Sequence, residues 1–500
     1  MLVATLAAIY LFDLANTPVY FGGDEAHFAV EAHALATTGR NLRGDLLPVF
    51  VNLADPLGEQ QQEWGDTYYQ PLLFYVIVGV IKFLPMSITA VRLPVAVIGG
   101  IITPLLIYGL ALRVMGAVWP AVVTTLLLAL APTHVVLSRQ ALDYVCPLPF
   151  VIGWLWCLHA FMQSRRPQLA ALAGVVLGIG CYSYIASWAM MPGYLFLTLL
   201  VMRFANAGAR PMLLCVLGFA VPVSVGATWV LLHPEMLAQT AARYGEHEGP
   251  AYGLVETYLS FIKPTLLFVR GGPSLTTSTA RSGFVLLATA PLLVAGIAAL
   301  WRRRDWLAVV IVAGIVAAPI PAALKGEPGM IQRAIYMLPF LALLGGFGYA
   351  WLWSWPSRVA RAGVIALLTL VPIQFAYFYF DYFTHYKLRS AFYYDPAAFR
   401  DVAAYLMADA SAPSYVFTAD VDDVSVKWRF YVTQAHQDEL LPRARYVAPG
   451  DTPPASAGSL LVTLVDTPRL ERLGAAGWRL EKVVADVDNR PATAILRKAP

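Results

Sequence analysis

Charged residues and cysteines are scarce in this 500-residue chain. Asp, Glu, Lys and Arg make up 13% of the residues and 58% are hydrophobic, whereas ordinary soluble domains are about one quarter charged. The four cysteines lie in apolar runs and lack the C-x-x-C spacing typical of metal and redox sites. A formal net charge of +4 is too small to indicate nucleic-acid binding. The composition therefore predicts an integral membrane protein.

The apolar runs predict an all-α polytopic fold. A short run at residues 1–14 leaves open whether the N-terminus is complete. The runs after it are long enough to cross a bilayer, so we expect about eleven transmembrane helices. Besides the first, they lie near residues 89–112, 118–136, 146–161, 168–183, 185–204, 211–232, 282–301, 306–324, 332–353 and 360–380. The run 71–81 is short for a span and is predicted to lie along the outer leaflet.

Arginines between the runs set the predicted orientation. Loops rich in basic residues face the cytoplasm, and alternate loops carry Arg113, Arg165, Arg166, Arg203, Arg210, Arg302, Arg303, Arg304, Arg358 and Arg361. The loops 15–88 and 233–281 are then extracytoplasmic. We expect amphipathic juxtamembrane helices in the first of these loops. The residues after the last span lie on the same side.

The composition changes near residue 391. Before it, residues 1–390 form the predicted transmembrane domain. After it, charges and alternation return, which is typical of strands and surface helices. We expect a small extracytoplasmic α/β domain over 391–500, with strands at 414–417, 459–465 and 493–497 and helices at 395–409 and 467–475.

Two adjacent acids, Asp24 and Glu25, follow Gly22 and Gly23 where the first apolar run ends. Carboxylates beside hydrocarbon are costly, so such a pair indicates a functional site. Acids in the first turn of a helix also cap it and suit its dipole. Both interpretations stay open on this evidence.

Further ionisable groups lie in other loops assigned to the outside. Arg139 and Asp143 have the i,i+4 spacing at which a helix pairs opposite charges, as a site or as an ordinary interfacial ion pair. The cations Arg92, Arg139, Lys325 and Arg333 run against the positive-inside bias. Phosphate recognition explains them, and for Arg333 lipid headgroup contact explains it nearly as well.

The triplet Glu-His-Glu at 246–248, in the loop 233–281, invites a metal interpretation. Its spacing matches no known ligand pattern, and a solvated loop explains it. A divalent metal is therefore left open without support from a ligand motif, and no cofactor is predicted. The loop 233–281 is better explained as a substrate-binding element.

Taken in order, five stretches resemble the GT-C polytopic glycosyltransferases. The resemblance is to protein O-mannosyltransferases, the lipid A aminoarabinose transferase and related bacterial enzymes. It extends from the N-terminus to about residue 390 and is carried by GGDEAHFAVEAHALATTG (22–39), YYQPLLFY (68–75), VRLPVAVIGG (91–100), SRQALDY (138–144) and KGEPGMIQRAIYMLP (325–339).

The resemblance implies a sugar donor on a polyprenyl phosphate, in a bacterial inner membrane, with transfer on the extracytoplasmic face. It implies catalytic roles for Asp24, Glu25 and Asp143, and donor-phosphate contacts from Arg92, Arg139 and Lys325. Arg270 joins the phosphate set on charge and location alone. Weaker substrate contacts are assigned to His27, Tyr68, Tyr69, Gln70, Tyr144, Glu327 and Arg333. Gln70 departs from the family pattern, because aminoarabinose transferases have Lys before this Pro.

The predicted reaction is an inverting single displacement in which Asp24 removes the proton of an acceptor hydroxyl. The acceptor is a glycan, lipid or protein, and the bilayer is the other partner. We expect Asp24 to meet Arg139 and Asp143 in one pocket. The alternatives are a lipid-linked-sugar transporter or flippase, and a membrane scaffold without activity. A transporter is disfavoured because neither inverted repeats nor mid-span charges are evident.

Overall fold

The computed structural model describes residues 2–53, 68–245, 253–448, 451 and 454–500. Helices dominate the first part of the chain: α1 Leu2–Leu11, α2 Gly23–Thr38, α3 Pro71–Ile81, α4 Ile88–Val97, α5 Thr103–Met115, α6 Val118–Ala129, α7 Pro132–Leu137, α8 Leu148–Ser164, α9 Pro167–Gly180, α10 Ser187–Phe204 and α11 Ala209–Leu232. Two short strands, β1 Val51–Asn52 and β2 Tyr68–Tyr69, lie between α2 and α3.

Helices continue through the second part: α12 Glu235–Gly245, α13 Leu254–Ser260, α14 Ala290–Arg303, α15 Trp306–Ala317, α16 Ile320–Lys325, α17 Met337–Trp353, α18 Arg358–Phe383 and α19 His385–Tyr394. Strands and helices then alternate: α20 Phe399–Ala408, β3 Tyr415–Thr418, α21 Val424–Gln434, β4 Ala444–Val447, β5 Leu460–Leu464, α22 Thr467–Ala475, β6 Trp478–Ala485 and β7 Pro491–Lys498.

The predicted polytopic helical architecture is confirmed in its coarse form. Within the described ranges, six helical segments are long and apolar enough to cross a membrane: Ile88–Met115, Asp143–Ser164, Ser187–Phe204, Ala209–Leu232, Trp306–Lys325 and Arg358–Phe383. Shorter apolar helices are Leu2–Leu11, Pro71–Ile81, Val118–Ala129, Pro167–Gly180 and Met337–Trp353. The number of eleven spans stays a prediction.

Three of the predicted spans differ from a single continuous helix. Two are divided at prolines, and in the third the α-helix begins later than predicted. The run 118–136 becomes α6 and α7, with Pro132 opening the second helix, and the run 306–324 breaks at Pro319. Proline fixes its own backbone and lacks an N–H donor, so it starts a helix more readily than it continues one. The run 282–301 becomes α-helical only at Ala290, after a short 3₁₀ helix at Leu287–Thr289. Before that, Phe284 and Val285 donate backbone hydrogen bonds to the carbonyls of Leu266 and Leu267.

The chain divides into two compact units. The first consists of Met1–Phe12, Tyr69–Leu73 and Val95–Tyr382, and the second of Asp13–Tyr68, Phe74–Pro94 and Phe383–Pro500. The second unit thus combines the segment around α2 with the C-terminal residues. The domain boundary at residue 390 stays a prediction.

Close backbone contact holds α9 against α11 in the first unit. A Cβ atom at Gly174 would lie 2.0 Å from the carbonyl oxygen of Cys215, and one at Gly218 would lie 2.2 Å from that of Ala171. Small residues permit such contact between helices in a bilayer, where dispersion contacts replace the hydrophobic effect as the driving force. These two glycines therefore set the distance between the helices.

A five-stranded sheet with the order β4-β3-β5-β7-β6 forms the C-terminal part of the second unit. β3 pairs in parallel with β4 and β5, and β7 pairs antiparallel with β5 and β6. Strands β3, β5 and β7 occur where alternation predicted them. The edge strands β4 and β6 were not predicted. In β6 the alternation is obscured, because exposed residues, several of them charged, occupy most of its length.

The expected polar face of α2 is absent over Glu25–Ala32, since every residue of that stretch is buried. The ring of Phe28 stacks on Phe74, with 4.3 Å between centroids, and α21 also packs on α2. The prediction of an amphipathic helix was wrong for this half of α2, because Phe74 and α21 belong to the same compact unit as α2 and cover it.

Substitution of Gly174 by Ala tests the α9–α11 contact. We expect Gly174→Ala to lower the stability by about 1–3 kcal/mol, as overpacking does when backbone must move. The matched control is Gly193→Ala in α10, where nothing lies within 4 Å of a new Cβ. Thermal unfolding in detergent measures both variants, and equal melting temperatures would contradict the close contact.

Candidate functional site

Asp24 lies in the first turn of α2, which begins after Gly22. The Glu25 carboxylate accepts a hydrogen bond from the Gly22 backbone N–H at 3.2 Å, and the Ala26 N–H bonds the Gly22 carbonyl at 3.0 Å. Asp24 is half-buried there. The helix dipole favours an anion at this position. The Glu25 carboxylate caps the first turn, and Asp24 is the other carboxylate of that turn.

A buried ion pair between Glu25 and Arg92 holds this turn. Arg92 Nε donates to Glu25 Oε1 at 2.8 Å, and one terminal nitrogen donates to Oε2 at 2.7 Å. The same guanidinium donates to the carbonyls of Leu14, Pro18 and Tyr20 at 2.9–3.1 Å. These bonds account for all five N–H donors of an arginine.

The hydrogen bonds of Arg92 to protein oxygens weigh against its predicted phosphate contact. Its side chain is fully buried and Glu25 is 1% exposed. With every N–H donor directed at the protein, the geometry favours a role in shaping the chain from Leu14 to Glu25. Acceptor carbonyls have no sequence signature, so no motif could have revealed this arrangement. A phosphate contact by Arg92 stays a prediction.

Asp423, from the loop before α21, reaches the same helix. Its Oδ1 lies 3.4 Å from His27 Nε2, and both side chains are largely buried. Burial raises the pKa of the neighbouring Asp422 carboxyl, and the charge of Lys427 opposes that shift. No sequence signal pointed to Asp423, because the C-terminal segment shows no catalytic motif and only the fold brings this residue to α2.

Arg139 has a comparable role in the first unit. Its guanidinium donates to the carbonyls of Tyr10 and Phe12 at 2.7 and 2.6 Å, at the C-terminal end of α1. It is fully buried, with the Tyr382 ring 5.8 Å away. A cation suits the end of a helix dipole. The two residues do not lie on one helix, because α7 ends at Leu137 and residues 138–142 form turns and bends; a pairing of Arg139 with Asp143 stays a prediction.

Two predicted loops come together in the first unit. The single helical turn Asp143–Val145 packs against the turn Ile331–Ala334. Asp143 is 4% exposed, and the Tyr144 ring meets Tyr184 edge-on at 5.6 Å. Arg333 forms an ion pair with Glu327. The structure thus gathers acids, tyrosines and an arginine from sequence stretches almost 200 residues apart.

The remaining predicted residues have varied positions. Lys325 is the last residue of α16 and is half-buried, whereas Arg270 is exposed at the end of a short helical segment, Leu266–Arg270. Gln70 is buried, and Tyr68 and Tyr69 are half-buried. Asp24 and Asp143 belong to different units, and their meeting in one pocket stays a prediction.

The Glu-His-Glu triplet at 246–248, for which a metal was left open, lies outside the described residues. Elsewhere, in the described ranges, no group of three or more His, Cys, Asp and Glu residues is arranged to hold a metal ion.

Replacing Arg92 by Lys separates a structural role from a phosphate contact. Lysine keeps the charge but offers three donors in place of five, so buried acceptors lose their bonds. We expect Arg92→Lys to destabilise the protein by about 3–5 kcal/mol, as breaking a buried ion pair does. The control is Arg490→Lys, where the exposed arginine pairs with the half-buried Asp488 and a change below about 1 kcal/mol is expected. Unchanged thermal unfolding of Arg92→Lys would leave the phosphate interpretation as the better one.

Part of the chain matches a known family, and its fold is similar to those of solved structures. Residues 69–229, about a third of the chain, match the family model of dolichyl-phosphate-mannose-protein mannosyltransferases. A search of curated proteins gives no match.

Solved structures match over the whole chain. ArnT from Cupriavidus metallidurans bound to undecaprenyl phosphate has a TM-score of 0.56 at 15% identity, covering 99% of this chain and 97% of that one. Its apo state gives the same TM-score at 16% identity. The arabinofuranosyltransferase AftD from Mycobacteria has a TM-score of 0.51 at 14% identity, covering all of this chain and 40% of that longer one. The resemblance found in the sequence is confirmed: the chain has the GT-C glycosyltransferase fold, and its residues 69–229 match the mannosyltransferase family.

Proposed function

We propose that this membrane protein transfers a sugar from a polyprenyl-phosphate donor to an acceptor hydroxyl on the extracytoplasmic face. One observation carries the proposal: a half-buried carboxylate, Asp24, stands at the start of α2 on a turn held by the buried Glu25–Arg92 pair. The matching family is named for dolichyl-phosphate-mannose, and the similar ArnT structure holds undecaprenyl phosphate. Both support a lipid-phosphate-linked donor here.

Asp24 is the base in this mechanism. Its carboxylate takes the proton from the acceptor hydroxyl as that oxygen attacks the anomeric carbon. The bond from this carbon to the phosphate oxygen breaks, and its electron pair leaves with the phosphate. The product lipid is polyprenyl phosphate. A single displacement inverts the anomeric centre.

Cations that contact the leaving phosphate replace a dedicated acid, because they stabilise its growing charge. Among the predicted cations, Arg92 and Arg139 are buried and directed at backbone carbonyls. We therefore assign the phosphate contact to Lys325 and Arg270, which retain exposed surface. Arg333, paired with Glu327, is assigned to substrate binding.

Asp143 is proposed as a second catalytic carboxylate of the site, beside the base Asp24. It lies on a turn that packs against the turn containing Arg333, and its neighbour Tyr144 offers an aromatic face for a sugar ring. His27, Tyr68, Tyr69 and Gln70 are the weaker proposed substrate contacts. We also propose the eleven spans, a bacterial inner membrane, and an extracytoplasmic C-terminal segment, as the sidedness of the basic loops implies.

Substitution of Asp24 by Asn tests the base directly. Asn keeps the size of the side chain but cannot accept the proton, so kcat should fall by about 10²–10⁴-fold while membrane insertion is unchanged. The matched control is Asp466→Asn, at an exposed acid before α22, which should transfer sugar at the wild-type rate. The measurement is release of polyprenyl phosphate from a polyprenyl-phosphate sugar by purified protein.

Wild-type turnover by Asp24→Asn would contradict the assignment of the base. Movement of the lipid-linked sugar across the membrane without release of polyprenyl phosphate would instead support the flippase.

A further inference from the structure

The C-terminal segment contacts α2 on both sides of Asp24. We propose that Asp423 is a positioning residue for Asp24, and that the C-terminal α/β segment therefore forms part of the catalytic scaffold. This inference rests on the proposed function of Asp24 as the base. It differs from the expectation for a separate domain, whose removal would leave the site intact.

The first observation is the fit of the Asp423 carboxylate against Gly23. A Cβ atom at residue 23 would lie 1.6 Å from Asp423 Oδ2 and 2.4 Å from its Cγ. The carboxylate therefore occupies the space that only a glycine leaves open. Gly23 directly precedes Asp24, so a contact that fixes the backbone of Gly23 also fixes the direction in which the Asp24 side chain projects from the helix.

The second observation is the contact with His27. Asp423 Oδ1 lies 3.4 Å from His27 Nε2, and residues 23 and 27 are neighbours on one face of a helix. One carboxylate thus spans the first turn of α2 from Gly23 to His27. The side chains of His27 and Asp423 are 7% and 12% exposed, so the contact is shielded from water and correspondingly well defined.

The third observation is the support behind Asp423. The residue adopts a left-handed backbone with φ of 50° and precedes α21, whose Lys427 N–H bonds its carbonyl at 3.0 Å. The Lys427 ammonium forms a buried ion pair with Asp395 at 3.0 Å. Asp395 in turn accepts the Phe399 N–H at the start of α20. Asp423 is therefore attached to a framework of two helices.

Two further contacts join the same pieces of chain just before Asp24. The Tyr20 hydroxyl donates to Asp486 Oδ1 at 2.8 Å, and the Phe21 ring lies 4.4 Å from that of Phe430. Together with Asp423 they fix the chain from Tyr20 to His27 against the C-terminal segment. A base must be held within a fraction of an ångström of its productive position, and this packing supplies that restraint.

A double-mutant cycle between residues 23 and 423 tests the proposal. We expect Gly23→Ala to displace the carboxylate and Asp423→Gly to remove it. Each should lower kcat by about 10–100-fold and leave KM for a polyprenyl-phosphate sugar within about twofold, since positioning acts on the chemical step. Asp423→Gly also makes room for the new Cβ and suits the left-handed backbone. The double variant should therefore be no slower than Asp423→Gly alone.

Conservative and control variants accompany the cycle. Asp423→Asn keeps an oxygen that accepts from His27, so it should retain kcat within about threefold of wild type. Gly474→Ala, in α22 of the same segment with nothing within 4 Å of a new Cβ, should match wild type. Thermal unfolding is recorded for every variant. If Asp423→Gly does not fold, Gly23→Ala and Asp423→Asn alone decide between the outcomes, through their kcat and KM.

The outcomes separate this inference from the proposed function. Suppose that the wild-type protein transfers sugar and Asp24→Asn is inactive, but Gly23→Ala and Asp423→Gly have the wild-type kcat. This result would overturn the role of Asp423 and leave the proposed function unaffected. Additive losses in the cycle, or a change in KM alone, would also overturn it. Absence of transfer by the wild-type protein from every polyprenyl-phosphate sugar would overturn the proposed function itself.

Discussion

The buried pair of Glu25 and Arg92 is the interaction on which the proposed site depends. Burying a guanidinium is costly unless its charge is paired and its donors are bonded, and the donors of Arg92 bond Glu25 and three carbonyls of the chain leading into α2. The pair thereby fixes both the path of residues 14–20 and the first turn of the helix. This framework fixes the position of Asp24, because Asp24 lies between the helix cap at Gly22 and Glu25, which is bonded to Arg92.

Arg139 in the other unit is also buried, and it bonds the carbonyls at the end of α1. Both arginines were assigned to the outer face, Arg139 in a loop and Arg92 at the start of a span, where positive-inside bias makes basic residues unexpected. Burial supplies a reason for their presence that does not require a ligand. The proposed phosphate contact then falls to Lys325 and Arg270, whose side chains retain exposed surface.

The sequence could predict a polytopic helical membrane fold, because long apolar runs and alternating arginines are local signals. It also singled out the stretches that contain Asp143 and Arg333, and the structure packs these two stretches together. It could not predict the breaks at Pro132 and Pro319 as helix starts within single apolar runs, nor the buried half of α2. Asp423 was missed for a deeper reason: its contact with His27 spans 396 residues of sequence and follows from the fold alone. A local charge pattern cannot distinguish a buried arginine that bonds carbonyls from one that binds phosphate.

The central claim is that an anchored carboxylate at the start of α2 performs glycosyl transfer from a lipid phosphate. Incubation of the purified full-length protein with a panel of polyprenyl-phosphate sugars and acceptor hydroxyls tests it most directly. The account predicts that at least one donor yields free polyprenyl phosphate together with a glycoside of inverted anomeric configuration. A glycoside formed with retained configuration, or no release of polyprenyl phosphate from any donor, would contradict it.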